Sequence, residues 1–245
     1  MVYAMIFAGG VGARMKSVTI PKQFIEVDGK PIIIRTLENF CYHPMVDKIV
    51  VSCLEDWIDE LWRLINKYHI PNVASIVPGG ENGHQSIHNG LVEVQHMSQP
   101  DDIVLICDGV RPLVSEKLIT ECIDAAMKYE TAVPVTPSID SVLASNDGEN
   151  CCQSMPRGSM WITQAPQGYT MRKIMWAHDE AEHRNILNPI SSSELLIELG
   201  ETIHIFIGDR ENIKVTTQED LRYLRSYYYY DRYKNFADEE CKYGL

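Results

Sequence analysis

Long apolar runs are missing from this 245-residue sequence, and their absence argues against a transmembrane helix. Nowhere does the chain hold about 18 consecutive apolar residues, the length that a bilayer span requires. The opening residues, MVYAMIFAGG, have no basic segment, and their apolar run of about seven residues is short for a secretory signal. We therefore expect a cytoplasmic protein that makes no membrane contact.

A surplus of basic residues is also missing. The chain has 22 Lys and Arg against 34 Asp and Glu, a formal net charge of −12. Nucleic acid or an anionic membrane would meet a repulsive field, so neither partner is expected. Residues 1–35 are the exception, because they hold only Glu26 and Asp28 against five basic side chains: Arg14, Lys16, Lys22, Lys30 and Arg35. This cationic segment indicates a site for a small anion.

Paired cysteines and common catalytic signatures are absent as well. The seven cysteines form an odd set without a C-x-x-C spacing, which favours reduced thiols packed as small apolar side chains. No G-x-S-x-G occurs, and no cysteine has the setting of a nucleophile. His84 and His88 lack the glutamate of H-E-x-x-H, so they are weak evidence for zinc. The polar stretch from His178 to His183 is expected to be a solvated helix face.

What the first half does contain is an alternation of short β-branched runs with amphipathic stretches. The runs predict buried strands at residues 2–8, 48–53, 74–77, 103–107 and 132–135. Helices are predicted at residues 31–40, 57–68, 85–95 and 115–128. Such alternation indicates parallel βαβ units with right-handed crossovers. We predict an α/β fold, a doubly wound, mostly parallel Rossmann-like sheet that binds its ligand at the carboxyl ends of the strands.

Residues 136–165 break this alternation. The turn signal at Asn146-Asp147-Gly148, with short alternating runs on each side, predicts a hairpin in an arm at about residues 136–162. Helices at 171–184 and 193–199 and a strand at 204–207 are predicted beyond it. Thr216 and Glu219 have the T-x-x-E spacing of a capping box for a final helix. The tyrosines at 227–230 and 233 are expected on that helix or beyond it. No repeat or linker is evident, so residues 1–245 are taken as a single domain.

Glycines cluster directly after the first predicted strand, in AGGVG at residues 8–12. They let backbone N–H groups approach an anion closely. The G-x-G-x-x-G/A dinucleotide fingerprint fails because Met15 takes its last position, so an oxidoreductase is disfavoured, and the P-loop's G-K-[ST] is absent too. Arg14 and Lys16 lie in this segment, and Lys22 follows in P-K-Q. Amides and cations at a strand end suit a triphosphate.

Five motifs in order carry a resemblance to a known family. They are A-G-G-x-G-x-R-M with P-K-Q at residues 8–23, G-G-E with Ser86, D-G-V-R-P at 108–112, A-P-Q at 165–167 and N-I-K-V-T at 212–216. Over residues 3–221 the chain resembles the cytidylyltransferases that make CDP-linked polyols, which include methylerythritol-phosphate and ribitol-5-phosphate enzymes. The resemblance implies a nucleotidyltransferase-type fold that transfers CMP from CTP to a small polyol phosphate and releases pyrophosphate.

The resemblance also implies a role for each matching residue. Three residues match the catalytic cations: Arg14, Lys22 and Lys214. Asp108 matches the carboxylate that holds Mg²⁺. Eight residues match the nucleotide-binding positions: Ala8, Gly9, Gly10, Gly12, Gly80, Glu81, Ser86 and Arg111. In the arm, Ser141 and Arg157 match groups that contact the acceptor phosphate across a homodimer, so a homodimer with shared active sites is implied.

The chain departs from the family pattern at several positions. Gly83 stands where an arginine is usual, Cys107 where a histidine precedes the aspartate, and Ala165 where a threonine begins T-P-Q. Ile190-Ser191 replaces a Thr-Asp pair. The Ala165 and Ile190-Ser191 changes fall on the acceptor side, so CTP activation is compatible with a different polyol.

Val110 in D-G-V-R-P resembles the ribitol-type enzymes, so D-ribitol 5-phosphate is the expected acceptor. The first alternative is 2-C-methyl-D-erythritol 4-phosphate. A second is a sugar-1-phosphate nucleotidylyltransferase that uses another base, and a third is a catalytically silent nucleotide-binding module. The residues leave open both the polyol and whether the product feeds a cell wall, a capsule or isoprenoid synthesis.

Overall fold

The computed structural model describes residues 1–10, 20–186 and 189–242, with side chains described up to residue 233. The strands are β1 (Val2–Ala8), β2 (Glu26–Val27), β3 (Lys30–Pro31), β4 (Lys48–Cys53), β5 (Val73–Pro78), β6 (Ile103–Asp108), β7 (Thr131–Pro137), β8 (Val142–Ala144), β9 (Gln153–Met155), β10 (Trp161–Thr163), β11 (Gln167–Thr170) and β12 (Ile205–Ile207). The helices are α1 (Ile32–Cys41), α2 (Ile58–Lys67), α3 (Gly83–Gln95), α4 (Glu116–Tyr129), α5 (Met171–His183), α6 (Ser192–Glu198) and α7 (Gln218–Lys242).

The core of the main sheet is parallel, in the order β5-β4-β1-β6. Next to β6 lies β11, which is antiparallel both to β6 and to β7. Val135 of β7 pairs with Thr163 of antiparallel β10 and with Ile207 of parallel β12, so these two strands lie on opposite edges of β7. The predicted α/β fold with parallel core strands is confirmed, and the antiparallel strands make the sheet mixed.

Helices cover both faces of this sheet because the strand side chains alternate between two apolar clusters. Ala4 and Ile6 of β1 pack with residues of α1, α2 and α4 on one face. Tyr3 and Met5 pack with residues of α3, α5 and α6 on the other. All four side chains are fully buried. Burial on both faces explains why β1 is an unbroken apolar run rather than an alternating one.

The last helix begins one residue later than the T-x-x-E spacing predicts. Thr217 Oγ1 accepts a hydrogen bond from the Asp220 amide at 3.2 Å, and Asp220 Oδ2 accepts one from the Thr217 amide at 2.8 Å. The capping box is therefore Thr217 with Asp220, and the prediction of Thr216 with Glu219 is wrong. Asp220 is favoured because the same oxygen also accepts from the Thr216 amide and hydroxyl, each at 2.8 Å.

The predicted hairpin is confirmed as β8 paired antiparallel with β9. At its tip, Asp147 Oδ1 accepts from the amides of Glu149 and Asn150, each at 2.9 Å, and Gly148 adopts a φ of 74°. A positive φ is unfavourable for residues with a Cβ, which explains the glycine in this turn. Large apolar side chains of the arm remain exposed: Ile139, Leu143, Trp161 and Ile162.

The cysteines whose side chains are described divide into two groups, and Cys241 lies outside them. Cys41, Cys53, Cys107 and Cys122 are free and buried, as predicted, and burial raises the pKa of Cys53 to about 12. Cys151 and Cys152 are free but exposed in the arm, so their prediction as core thiols is wrong. Of the helices in the described residues, none combines the length and the apolar character that spanning a bilayer needs.

Candidate functional site

The carboxyl ends of the parallel strands meet at one edge of the sheet, and a cavity of about 410 Å³ opens there. We call it the glycine-loop cavity. It is lined by Phe7, Ala8, Gly9, Gly10, Lys22, Gln23, Leu54, Gly80, Glu81, Asn82, Gly83, Ser86, Asp108, Val110 and Lys214. It therefore brings together most of the residues predicted to bind the nucleotide and two of the three predicted cations. Gly12 and Arg14, with Lys16, lie outside the described residues.

The end of β1 shapes one wall of this cavity. The Ala8 carbonyl accepts a hydrogen bond from Gln23 Nε2 at 2.6 Å, which holds the P-K-Q segment beside the glycines and places Lys22 on the wall. A Cβ on Gly9 would lie only 2.7 Å from Ser86 Oγ, so glycine is required for this close approach to α3.

The first turn of α3 holds the loop at residues 80–82, which lines another wall of the glycine-loop cavity. Asn82 caps the helix by accepting from the Gln85 amide at 2.8 Å, and Gln85 Oε1 accepts from the Glu81 amide at 3.0 Å. Ser86 Oγ accepts from the Gly80 amide at 2.9 Å and donates to the Asn82 carbonyl at 2.8 Å. Ser86 therefore orders the loop that lines the cavity. Gly83 lies in the same turn, and a Cβ there would meet open space.

A buried carboxylate, Asp108, is paired with two cations at the site. Asp108 ends β6 and is 5% exposed, while Arg111 is 7% exposed. Arg111 Nε donates to Asp108 Oδ2 at 2.9 Å, and Lys214 Nζ lies 2.5 Å from Asp108 Oδ1. Arg111 Nη1 also donates to the Asn212 carbonyl at 2.9 Å. The D-G-V-R-P and N-I-K-V-T motifs, about a hundred residues apart, therefore meet in one ion-paired cluster.

The cluster keeps Asp108 ionised. Burial by itself raises the pKa of this carboxyl, but the charges of Arg111 and Lys214 and their hydrogen bonds outweigh it and lower the pKa below its usual value. The side chain of Lys214 is 42% exposed, so its ammonium is accessible from the cavity. The arrangement can therefore present positive charge, together with a deprotonated carboxylate, to a phosphate chain.

A second cavity, of about 220 Å³, adjoins the first and shares Phe7, Asp108 and Lys214 with it. We call it the Ile190 cavity. Its other lining residues are Ile87, Ile106, Arg111, Thr163, Gln164, Ala165, Gln167, Ile190, Ser191 and Ser192. Arg111, predicted to bind the nucleotide, lines this cavity rather than the first. The departures predicted to lie on the acceptor side also line it.

The two arm residues predicted to contact the acceptor lie beside each other. Arg157 Nη2 donates to Ser141 Oγ at 3.3 Å, and both side chains are exposed. Neither is among the described residues that line the two cavities. Within one subunit they do not join the site.

Two amide side chains that the sequence analysis missed position the Lys214 segment. Gln164 Nε2 donates to the Asp209 carbonyl at 2.7 Å, and its Oε1 accepts from the Asp209 amide at 3.1 Å. Asn212 Nδ2 donates to the Ala165 carbonyl at 2.6 Å. Their only signal was position, since Gln164 directly precedes A-P-Q and Asn212 is the first residue of N-I-K-V-T. Together they fix the wall of the Ile190 cavity against the ion-paired cluster.

The site offers a metal ion few protein ligands. In the ranges that the structure describes, no three His, Cys, Asp or Glu side chains form a group that could hold a metal ion by themselves. Mg²⁺ in phosphate-transfer sites usually takes only one or two carboxylates, with phosphates and waters completing the shell. One ionised carboxylate at the junction of the cavities fits an ion held mainly by substrate phosphates, with Asp108 as its protein ligand.

Comparison with known proteins shows the family of this chain. The family model for IspD, 2-C-methyl-D-erythritol 4-phosphate cytidylyltransferase, matches residues 2–228. A ribitol-5-phosphate cytidylyltransferase of Vibrio parahaemolyticus is 37% identical over 217 residues, covering 89% of this chain and 91% of that protein. One from Streptococcus agalactiae is 36% identical over 224 residues, covering 91% and 93%.

Solved structures show the same fold. The 4-diphosphocytidyl-2C-methyl-D-erythritol synthase of Anaerococcus prevotii is similar with a TM-score of 0.78 at 26% identity, covering 93% of this chain and 95% of that one. The 2-C-methyl-D-erythritol 4-phosphate cytidylyltransferase of Francisella tularensis has a TM-score of 0.77 at 25% identity, covering 91% and 97%. From the family match and these similarities, this chain belongs to the IspD family of cytidylyltransferases.

Proposed function

We propose that this enzyme transfers CMP from CTP to D-ribitol 5-phosphate, giving CDP-ribitol and pyrophosphate. The observation that carries the proposal is the junction of two cavities at Asp108 and Lys214. A nucleotide in one cavity and a phosphorylated acceptor in the other would meet at this cationic junction. The relatives named as ribitol-5-phosphate cytidylyltransferases, at 36–37% identity, favour ribitol as the polyol.

On the nucleotide side, the glycines at the end of β1 offer backbone N–H groups to the phosphates, and Gly80 and Glu81 face the base. Lys22 supplies positive charge from the same wall as the glycines. Arg14 and Gly12 retain the roles that the family resemblance implies. An enclosed cationic wall suits a triphosphate in a protein whose overall charge is negative.

The chemistry needs no strong base, because the attacking phosphate oxygen of the acceptor is already an anion. That oxygen forms a bond to the α-phosphorus of CTP, and the bond from the α-phosphorus to the bridging oxygen breaks, with pyrophosphate leaving. Lys22 and Lys214 stabilise the negative charge that develops on the transferring group and the leaving group. Arg111 holds Asp108 in place and adds charge on the acceptor side.

The IspD family fits a divalent-metal-dependent cytidylyltransferase. We propose Mg²⁺ as the ion and Asp108 as its protein ligand. Bound there, Mg²⁺ would neutralise phosphate charge. Lys214 Nζ now contacts Asp108 Oδ1, and its half-exposed side chain is free to turn from the carboxylate toward a phosphate.

We also propose a homodimer in which the arm of one subunit completes the site of the other. Arg157 and Ser141 lie together in the arm but line neither cavity of their own subunit. The arm also exposes large apolar side chains, with Leu143 at 63% and Ile139 at 61% exposure. Exposed apolar patches of this kind mark protein–protein contacts.

A pyrophosphate-release assay tests the proposed function. Each of CTP, UTP, ATP and dTTP is paired with D-ribitol 5-phosphate, 2-C-methyl-D-erythritol 4-phosphate or a sugar 1-phosphate, with Mg²⁺ or EDTA. We expect release with CTP and ribitol 5-phosphate that EDTA abolishes. No release from CTP with any acceptor would sink the proposal, and release only with another nucleotide would favour a sugar-1-phosphate enzyme.

A second candidate acceptor is 2-C-methyl-D-erythritol 4-phosphate, favoured by the description of the matching family model and by the solved structures. Running the assay with each acceptor in turn distinguishes D-ribitol 5-phosphate from 2-C-methyl-D-erythritol 4-phosphate. The ratio of kcat/KM for ribitol 5-phosphate to that for the methylerythritol compound is expected to exceed 10. A ratio below 1 would reassign the acceptor while leaving the cytidylyltransferase activity in place.

A further inference from the structure

Three histidines meet outside the site described above, between α3 and α5. The ring centroids of His84 and His178 lie 4.5 Å apart with planes at 7°, and those of His88 and His178 lie 5.2 Å apart at 32°. The three rings line a cavity of about 300 Å³ together with Asn82, Gln85, Glu182 and Ile186. His178 is therefore not on a solvated helix face as the sequence suggested, because it is only 3% exposed.

His178 is a buried polar side chain. Neither Nδ1 nor Nε2 has a hydrogen-bond partner within the described part of the chain. An apolar residue would fill this position at lower cost, since an unsatisfied buried polar group is destabilising. An imidazole kept at such a position, facing a cavity with two more imidazoles, indicates a ligand that the rings bind.

We infer that His84, His88, His178 and Glu182 form a binding site for one nitrogen-preferring divalent metal ion such as Zn²⁺. The spacing supports this directly. His84 and His88 are four residues apart on α3, and His178 and Glu182 are four apart on α5, so each helix turns a pair of ligands toward the same cavity. Three nitrogens and one carboxylate oxygen are a donor set that zinc accepts in tetrahedral sites.

The distances between the rings also suit one shared ion. A zinc–nitrogen bond of about 2.1 Å places an imidazole centroid about 3.2 Å from the metal, so two imidazoles at a tetrahedral angle have centroids about 5 Å apart. The His88–His178 separation of 5.2 Å matches that value, and the His84–His178 separation of 4.5 Å is somewhat shorter. What differs is orientation, because the stacked rings of His84 and His178 do not aim their nitrogens at one point. As they are placed, no three His, Cys, Asp or Glu side chains of the described residues form a group that could hold a metal ion, so binding requires the rings to move.

Rotation of the two outer rings would bring the nitrogens together. His84 and His88 are only partly buried and border the cavity, so they have room to turn while His178 stays fixed in the core. A neutral imidazole is the form of the ring that binds a metal.

This site is next to the loop at residues 80–82, because Asn82 lines both the histidine cavity and the glycine-loop cavity. His84 lies in the turn of α3 where Gln85 and Ser86 hold Glu81 and Gly80. A metal that ties this turn to α5 would fix the loop and stabilise the fold. It differs from the ion proposed at Asp108, since nitrogen ligands select zinc-like ions and oxygen ligands select Mg²⁺.

Titration of the tag-free protein with Co²⁺ alone, without nucleotide, tests the inference independently of the proposed reaction. We expect one equivalent to bind with the intense visible absorption of a tetrahedral nitrogen site, and Zn²⁺ to displace it. The His84→Ala/His88→Ala double variant should lose at least about 100-fold in Zn²⁺ affinity. The His183→Ala variant, which removes an exposed histidine from the same helix as His178, is the matched control.

Each outcome decides the inference. Absence of saturable Co²⁺ binding, an octahedral spectrum, or equal losses in the double variant and the control would overturn it. Near-ultraviolet circular dichroism shows whether the double variant is folded. If it is not, His88→Ala alone takes its place, because this half-exposed ring is not part of the core, and retention of wild-type Zn²⁺ affinity in that variant would equally overturn the site.

Discussion

At the scale of single residues, Lys22 is the cation whose role is most sharply testable. It lines the glycine-loop cavity, where it would stabilise charge on the transferred phosphate. The Lys22→Ala variant should turn over at least about 100-fold more slowly, the effect of removing one electrostatic stabiliser, with little change in the free energy of unfolding. Lys117→Ala is the matched control, since that side chain is 83% exposed on α4. Near-normal kcat in Lys22→Ala would refute the assigned role.

Asp108 makes a prediction about stability. In Asp108→Asn the buried Arg111 loses its ionised partner, which should lower the free energy of unfolding by about 3 kcal/mol at pH 7. The pKa of Asp108 is lower in the folded than in the unfolded state. Its contribution to the free energy of unfolding is therefore complete above the pKa of the unfolded state, about 4, and is lost as the pH falls through the pKa of the folded state. Urea unfolding of both proteins from pH 7 to 3 measures this.

The expected result is a difference between the two proteins that shrinks below about pH 4. A difference that stays constant across the pH range would show that Asp108 stabilises the fold by its shape and hydrogen bonds rather than by its charge.

Residues at the site were predictable where a motif held them, and less so where only charge was counted. Asp108 and Arg111 were predicted from D-G-V-R-P and Lys214 from N-I-K-V-T, and the three lie in one cluster. The basic side chains at residues 1–35 predicted too many cations for the site, because two of them make contacts that stabilise the fold instead. Lys30 pairs with Glu38 at 2.6 Å, and Arg35 lies over the Tyr228 ring at 3.9 Å. Charge composition cannot distinguish the two uses.

At the scale of elements, the first turn of α3 holds the loop at residues 80–82 that lines the glycine-loop cavity. Asn82→Ala removes the cap and should cost about 1 kcal/mol of stability. Because the same turn holds Gly80 and Glu81, we expect KM for CTP to rise several-fold with kcat changed less. Ser115→Ala removes the cap of α4, outside the glycine-loop cavity, and should match the stability loss with no change in KM.

Steady-state kinetics on the two cap variants, matched by their Tm, decide this point. An equal rise in KM for CTP in both variants would mean that general loosening, and not the α3 turn, sets nucleotide affinity.

Elements were predictable where the apolar pattern was strong. The core strands β1, β4, β5, β6 and β7 and the helices between them agree with the sequence to within a few residues. Strand β11 was missed because Gln167–Thr170 is short and carries no alternating apolar pattern. Its burial is set by its neighbours: a Cβ on Gly168 would lie 3.0 Å from Cys122 Sγ. Tertiary contacts of this kind cannot be predicted from the local sequence pattern.

At the scale of the whole molecule, an acidic exterior surrounds a few cations gathered at one junction. The net charge of −12 makes nucleic acid an unfavourable partner, while Lys22, Arg111 and Lys214 line the two cavities that would take small phosphates. The arm stands apart from this site and exposes apolar side chains instead. In this chain the cationic site therefore lacks Arg157, which the arm holds away from it.

A shared site in a homodimer accounts for both halves of that observation and predicts complementation between two inactive variants. Lys22→Ala damages the nucleotide side of a site, and Arg157→Ala damages what the partner's arm supplies. In dimers refolded from an equal mixture, half are mixed, and each mixed dimer holds one site with both residues intact. Activity should recover to about a quarter of wild type. If the arm served its own subunit, every site would keep one defect, and the mixture would stay as inactive as its components.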